Sequence, residues 1–191
     1  MREFPKIWFL RHGETEWNAE GRVQGQLESD LTPRGLLQAQ RQAELIRAAL
    51  GPLRPPCFVS PLRRAQRTAE IALAGHRLHT EPRLSEVHAG GLQGLTRDEI
   101  AQQYPQIDPH ARSALSLFCA APDGEGFARF HDRVLDLLMG LEAPSVLVAH
   151  GLLGQVLRGI ICGLDFEEME ALPNEQGCIY VLEQGQETVL R

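Results

Sequence analysis

Apolar residues fall along the chain in two rhythms: short unbroken runs that stop abruptly at polar residues or glycine, and longer stretches where they return every three or four positions. Residues 6–10, 57–59, 145–149, 178–182 and 188–190 show the first rhythm and are predicted as strands. The run at 145–149 has no polar interruption and suits a strand buried on both faces. Residues 35–50, 62–74, 127–141 and 152–161 show the second rhythm and are predicted as helices, with a further helix opening at Thr96 toward Tyr104. Thr32-Pro33 and Ser60-Pro61 each read as a cap residue followed by proline at the first helical position, and Gly51-Pro52 reads as a helix stop. Residues 78–86 are predicted to be extended. The stretch 103–126 has no clear period and carries three prolines, which makes it a candidate lid.

Strands and capped helices alternate throughout, with no internal repeat, low-complexity tract or linker. That order predicts an α/β protein, a three-layer α/β/α sandwich around a mainly parallel sheet. The 191 residues suit a single domain, 1–191. A formal charge of −6, from 25 acidic and 19 basic side chains, argues against a nucleic-acid partner. Any anion site must be a local gathering of cations. No apolar run reaches the ~20 residues of a membrane span, and the N-terminal segment lacks the pattern of a signal peptide, so a cytoplasmic protein without membrane attachment is expected. Cys57, Cys119, Cys162 and Cys178 have neither a C-x-x-C pair nor a histidine at ligand spacing, and are expected to be buried, reduced thiols. The seven histidines lack a His-x-x-x-His pair, so no metal site is predicted. Apolar residues at 115–118 suggest an exposed lid or an interface, which leaves an oligomer open.

In open α/β sheets ligands collect where the strands end at their carboxyl side. The first strand ends in Arg11-His12, the second leads into Arg63-Arg64, and the run at 145–149 ends in His150. Taken singly, each is more often a loop or surface residue than a site. Together they bring histidines and arginines to one rim, and arginine's forked donors match phosphate oxygens. The segment 11–18, Arg-His-Gly-Glu-Thr-Glu-Trp-Asn, resembles the N-terminal signature of the histidine phosphatase, or phosphoglycerate mutase-like, superfamily. Further similar pieces follow in the family's order: 21–25, 31–35 with Gln38-Ala39, 60–65 with Thr68-Ala69, Leu84-Ser85-Glu86, and Val148-Ala149-His150-Gly151.

The resemblance implies a phosphoglycerate mutase-like fold and a phosphate monoester hydrolase acting on a small phosphorylated metabolite through a phosphohistidine, with no cofactor and no metal. His12 is then the nucleophile, Glu86 the proton donor to the leaving alcohol, and His150 a donor to the phosphoryl oxygens. Arg11, Asn18, Arg64 and Gly151 form the phosphate pocket, and Thr15, Gln24 and Gly25 make secondary substrate contacts. Arg63 is left as a surface residue or a secondary contact. Two departures bear on the substrate rather than the chemistry: Gly91-Leu92-Gln93-Gly94 is closer to the mutases than to phosphatases with Trp-Glu-Gly, and Gly126 stands where a Gly-Glu-Ser helix start has serine. A mutase is therefore the alternative within the same chemistry, although family mutases are longer. A non-catalytic phospholigand sensor is a further alternative, disfavoured by the retention of both His12 and Glu86. Sugar phosphates, glycerate phosphates, nucleotide-loop phosphates and phosphoamino acids all remain candidate substrates.

Overall fold

The computed structural model describes residues 3–191. Its sheet has six strands, β1 (Ile7–Arg11), β2 (Cys57–Val59), β3 (Leu78–Thr80), β4 (Ser145–Ala149), β5 (Ile179–Glu183) and β6 (Gln186–Leu190), in the order β3-β2-β4-β1-β5-β6. The first four run parallel, and β5 and β6 close the sheet as an antiparallel hairpin. Side chains alternate across a strand. Ile7, Phe9, Leu147 and Ala149 therefore share one core with Phe130, Val134, Leu153 and Val156, while Trp8, Leu10, Val146 and Val148 share the other with Ile46, Ala65 and Ala69. The first face carries α6 (Phe127–Met139), α7 (Gly151–Cys162) and α8 (Phe166–Ala171); the second carries α2 (Pro33–Leu50) and α3 (Arg63–Ala72). This is the expected α/β sandwich.

Register is what aligns the strand ends. Arg11 pairs with Ala149 and Val59 with Val148, so the residues that follow, His12, Ser60 and His150, emerge side by side. The backbone confirms the alignment: His12 N–H donates to the Ala149 carbonyl and Ser60 N–H to the Val148 carbonyl, both at 3.0 Å. Above this rim sit three short helices, α1 (Glu16–Glu20), α4 (Arg97–Gln103) and α5 (Ala114–Cys119), over a small core of Val23, Leu92, Ile100, Ile107 and Leu117.

Several expectations need correction. Ser60 does not cap α3, because the helix starts at Arg63 with Leu62 in the cap position; the Ser60 hydroxyl lies two residues upstream, against the Leu62 N–H and His150. Residues 78–86 are extended only to Thr80; Glu81 then accepts from the Arg83 N–H and turns the chain into a single 3-10 turn at Pro82–Leu84. The helices α1, α5 and α8 were not predicted, since five or six residues are too few to display a period. Leu115 and Leu117 are buried rather than exposed, pointing from α5 into the cores below it. Cys57 and Cys178 are buried as expected, but Cys119 and Cys162 are only half-buried. Among the described residues no helix is long and apolar enough to cross a membrane.

Candidate active site

At the end of β1 the backbone leaves the sheet, and His12 is held in the loop with 3% of its surface exposed. Its Nδ1 lies 2.7 Å from the Gly13 carbonyl oxygen. A carbonyl only accepts, so Nδ1 keeps the hydrogen and Nε2 carries the lone pair. The loop is braced from three sides: Gly13 N–H donates to Thr68 Oγ1 (3.1 Å), Glu14 N–H to Gln38 Oε1 (2.7 Å), and Gln176 Nε2 to the His12 carbonyl (3.2 Å). Burial, and then the charges of Arg64 and Arg11, push the His12 pKa well below its ordinary 6.5.

His150, from the end of β4, is fully buried with its ring centre 5.2 Å from that of His12. Ser60 Oγ accepts from the Leu62 N–H (3.3 Å) and has its own hydrogen to give to His150 Nε2 (2.7 Å). His150 Nδ1, the other ring nitrogen, is buried with no hydrogen-bond partner among the described residues. Burial, followed by the charge of Arg64, holds His150 neutral as well.

Two guanidiniums face the histidines. Arg64, buried on the first turn of α3, donates Nη1 to the Leu27 carbonyl (2.8 Å) and Nη2 to the Gly25 carbonyl (2.6 Å). Arg11 donates Nη1 to the Asn174 carbonyl. In both, Nε is buried and unpartnered. Gly151 permits this packing: a Cβ there would lie 3.1 Å from Arg11 Nε and 3.2 Å from its Cζ, closer than side-chain carbons normally approach. Buried polar groups are nearly always satisfied in native proteins. Three orphaned buried nitrogens, Arg11 Nε, Arg64 Nε and His150 Nδ1, therefore mark a place for an oxyanion.

Glu86 stands on the other side of the same pocket, 6% exposed. Its Oε1 accepts from the N–H groups of Val87 (3.0 Å) and Leu153 (2.9 Å), and Oε2 from Leu152 (3.0 Å) at the start of α7. Those donors and Arg64 favour the carboxylate, but desolvation outweighs them and raises the Glu86 pKa above its ordinary 4.5. The backbone on either side of Glu86 is also clamped. Arg133 donates to the carbonyls of Arg83 (2.7 Å) and Ser85 (2.8 Å) while pairing with Glu125 (2.7 Å), and Gln26 Nε2 donates to the Glu86 carbonyl (3.0 Å).

The pocket, about 270 Å³, is walled further by Asn18, Arg22, Gln24, Gly25, Leu152 and Asn174, with Ala114 and Phe118 of α5 also lining it. One expected contact lies elsewhere. Thr15 is fully buried as the cap of α1, accepting from Asn18 N–H and Gln24 Nε2, and so orders Asn18 and Gln24 from behind. Arg63 points away, pairing with Asp30 at 3.6 Å on the surface. Arg22, Asn174 and Gln176 were missed by sequence reasoning. Arg22 sits inside a motif already noted, and Pro173-Asn174 before the penultimate strand was the only local signal for the loop that touches Arg11. No group of three or more His, Cys, Asp or Glu among the described residues could hold a metal ion.

Comparison with known proteins agrees with this geometry. The sequence profile of the histidine phosphatase superfamily (branch 1) matches residues 7–190. A metal-independent phosphoserine phosphatase of Arabidopsis thaliana is 36% identical over 83% of this chain and 68% of its own length. A 2,3-bisphosphoglycerate-dependent phosphoglycerate mutase of Nautilia profundicola is 30% identical over 88% of this chain and 87% of its own. Among solved structures, the alpha-ribazole phosphatase from Shigella flexneri superposes with a TM-score of 0.79 at 28% identity, covering 97% of this chain and 94% of that one. Matched almost from end to end by the family's profile, and carrying its fold, the chain belongs to the histidine phosphatase superfamily, branch 1.

Proposed function

We propose that the protein hydrolyses a small phosphate monoester through a phosphohistidine at His12. One observation carries the reading: three buried nitrogens without a partner among the described residues, Arg11 Nε, Arg64 Nε and His150 Nδ1, serve as donors around a neutral histidine whose tautomer leaves Nε2 free, with Arg11, Arg64 and His12 lining one pocket and the His150 ring centre 5.2 Å from that of His12. A phosphoryl group seated on those donors is presented to that lone pair. In the first step His12 Nε2 forms a bond to phosphorus as the ester P–O bond breaks, and the departing oxygen takes the proton of Glu86. In the second, water attacks phosphorus, gives its proton to Glu86, and the N–P bond breaks to release inorganic phosphate. Arg11, Arg64 and His150 stabilise the charge on the phosphoryl oxygens throughout, without reorganising. Asn18, Gln24, Gly25 and Gly151 shape the pocket around it.

Hydrolysis is favoured over return of the phosphoryl group to a glycerate by the wall facing the alcohol. Of the cations that line the pocket, Arg11 and Arg64 serve the phosphate, and Arg22 is paired with Glu20 (2.7 Å) and Glu99 (2.8 Å). No cation free of a carboxylate partner is left among the described lining residues for a substrate carboxylate. The test is a panel of phosphate monoesters assayed for released phosphate with and without EDTA. Turnover of at least one metabolite, unchanged by the chelator, is expected; turnover that vanishes with EDTA, or none on any ester, would contradict the proposal.

A further inference from the structure

The loop 172–177 touches the phosphate pocket on one side and a part-buried ion pair on the other. Toward the pocket, the Asn174 carbonyl receives Arg11 Nη1, and Gln176 Nε2 is shared between the His12 carbonyl (3.2 Å) and Asn18 Oδ1 (3.1 Å). Away from it, Arg158 of α7 is fully buried, paired with Glu187 of β6 through both Nε and Nη2, and stacked over the Tyr180 ring at 3.9 Å. Its remaining Nη1 donates to the Pro173 carbonyl at 2.7 Å. Two neighbours hold the same loop: Tyr180 Oη accepts from the Glu175 N–H (2.7 Å) and Gln155 Nε2 donates to the Leu172 carbonyl (2.6 Å). An arginine buried this deep, paired with a partly exposed carboxylate, is costly to desolvate and is weak evidence of stabilisation by itself. Its geometry does something more specific: it leaves one N–H of a rigid fork aimed at the residue before Asn174.

We propose that Arg158 is a positioning residue for the phosphate pocket, holding loop 172–177 so that Asn174 orients Arg11 and Gln176 orients the His12 loop. This rests on the phosphatase reading of the same pocket. Displacement of the loop carries Arg11 Nε off the phosphoryl oxygen, and misplacement by about 1 Å is enough to cost on the order of 10²-fold in rate.

The experiment measures inhibition by orthovanadate, a phosphoryl mimic, together with kcat/KM, at a temperature well below unfolding. Replacing both partners, Arg158→Met with Glu187→Met, removes the donor to Pro173 without stranding a buried charge. The folded double variant is expected to bind orthovanadate roughly tenfold more weakly and to lose about 10- to 100-fold in kcat/KM. Arg158→Lys, which keeps a donor and a charge for Glu187, should recover most of both. Wild-type inhibition in the folded double variant would overturn the proposal. Should that variant fail to fold, Arg158→Gln with Glu187→Gln takes its place, removing the same donor to Pro173; weaker orthovanadate binding supports the proposal and unchanged binding overturns it. A wild type that neither turns over phosphate esters nor responds to orthovanadate overturns the phosphatase reading itself, and this proposal with it.

Discussion

At the scale of single residues, the chemistry depends on two groups being in protonation states that ordinary values forbid together. A histidine of pKa 6.5 is mostly neutral only above that pH, and a glutamic acid of pKa 4.5 is mostly protonated only below it. Burial moves the two in opposite directions, His12 down and Glu86 up, and so brings the pH ranges in which each is competent toward one another. The acid limb of kcat/KM should therefore lie below pH 6.5 and the alkaline limb above pH 4.5, with Glu86→Gln abolishing the alkaline limb. A profile whose acid limb sits at or above the ordinary histidine value would contradict this account of His12. The same glutamate makes a second prediction. Glu86→Gln should slow phosphoryl transfer from an alkyl ester by about 10²–10⁴-fold, and by much less from p-nitrophenyl phosphate, whose leaving group needs little protonation. Equal losses on the two esters in single-turnover assays would mean that Glu86 does not protonate the alcohol. These residues were legible in the sequence because each follows a strand or sits in a compact motif. Thr15 was misplaced because a threonine beside a motif looks like a ligand contact, whereas its hydroxyl is consumed in capping α1.

Elements decide where those residues point. Long segments with a clear period, α2, α6 and α7, were readable, whereas α1, α5 and α8 end before a period can show. Ser60-Pro61 misled for a physical reason: cap chemistry is a local signal that does not fix where the helix begins, and α3 starts only at Arg63, which leaves Ser60 upstream against His150. Ser60→Ala should consequently leave α3 intact and lower turnover roughly tenfold, by freeing the His150 ring to rotate or change tautomer. A large loss of thermal stability with unchanged turnover would reverse that assignment. The segment carrying Glu86 has almost no regular structure, and the Arg133–Glu125 clamp substitutes for it. Gly126, the departure from the family's serine, has a φ of +71°, a conformation that side-chain-bearing residues rarely adopt, at the point where the chain turns from the clamp into α6. Arg133→Met should loosen Glu86 without touching the phosphate donors. The expected signature is a kcat lowered about tenfold on alkyl esters, a nearly unchanged orthovanadate affinity, and little effect on p-nitrophenyl phosphate. A matching loss of orthovanadate affinity would show that the clamp supports the whole pocket instead.

For the molecule as a whole, parallel pairing of β1, β2 and β4 brings three distant segments to one rim; the shared rim was legible from the alternation of strands and helices, and the order β2-β4-β1 was not. The contribution of loop 172–177 was not, since it depends on the β5–β6 hairpin folding back beside β1 and on a buried Arg158 that sequence pattern marks only as one of two polar residues in an apolar helix. The whole pocket also bears on the choice between water and a second hydroxyl as acceptor. A mutase must shield its phosphoenzyme and grip the intermediate through a closing segment. Here α5 lines the pocket with Ala114 and Phe118, and Arg22 is already paired. With 3-phosphoglycerate and a little 2,3-bisphosphoglycerate, phosphorus NMR should show phosphate release outrunning formation of 2-phosphoglycerate; the reverse order would favour the mutase. Every one of these expectations presupposes a covalent bond between phosphorus and His12 Nε2. Acid-labile, base-stable label trapped by rapid quench during turnover of a labelled ester tests that bond directly. The account predicts label on the wild-type peptide containing His12 and none, with activity near the detection limit, in His12→Ala. Undiminished turnover in His12→Ala, or label on another residue, would contradict it.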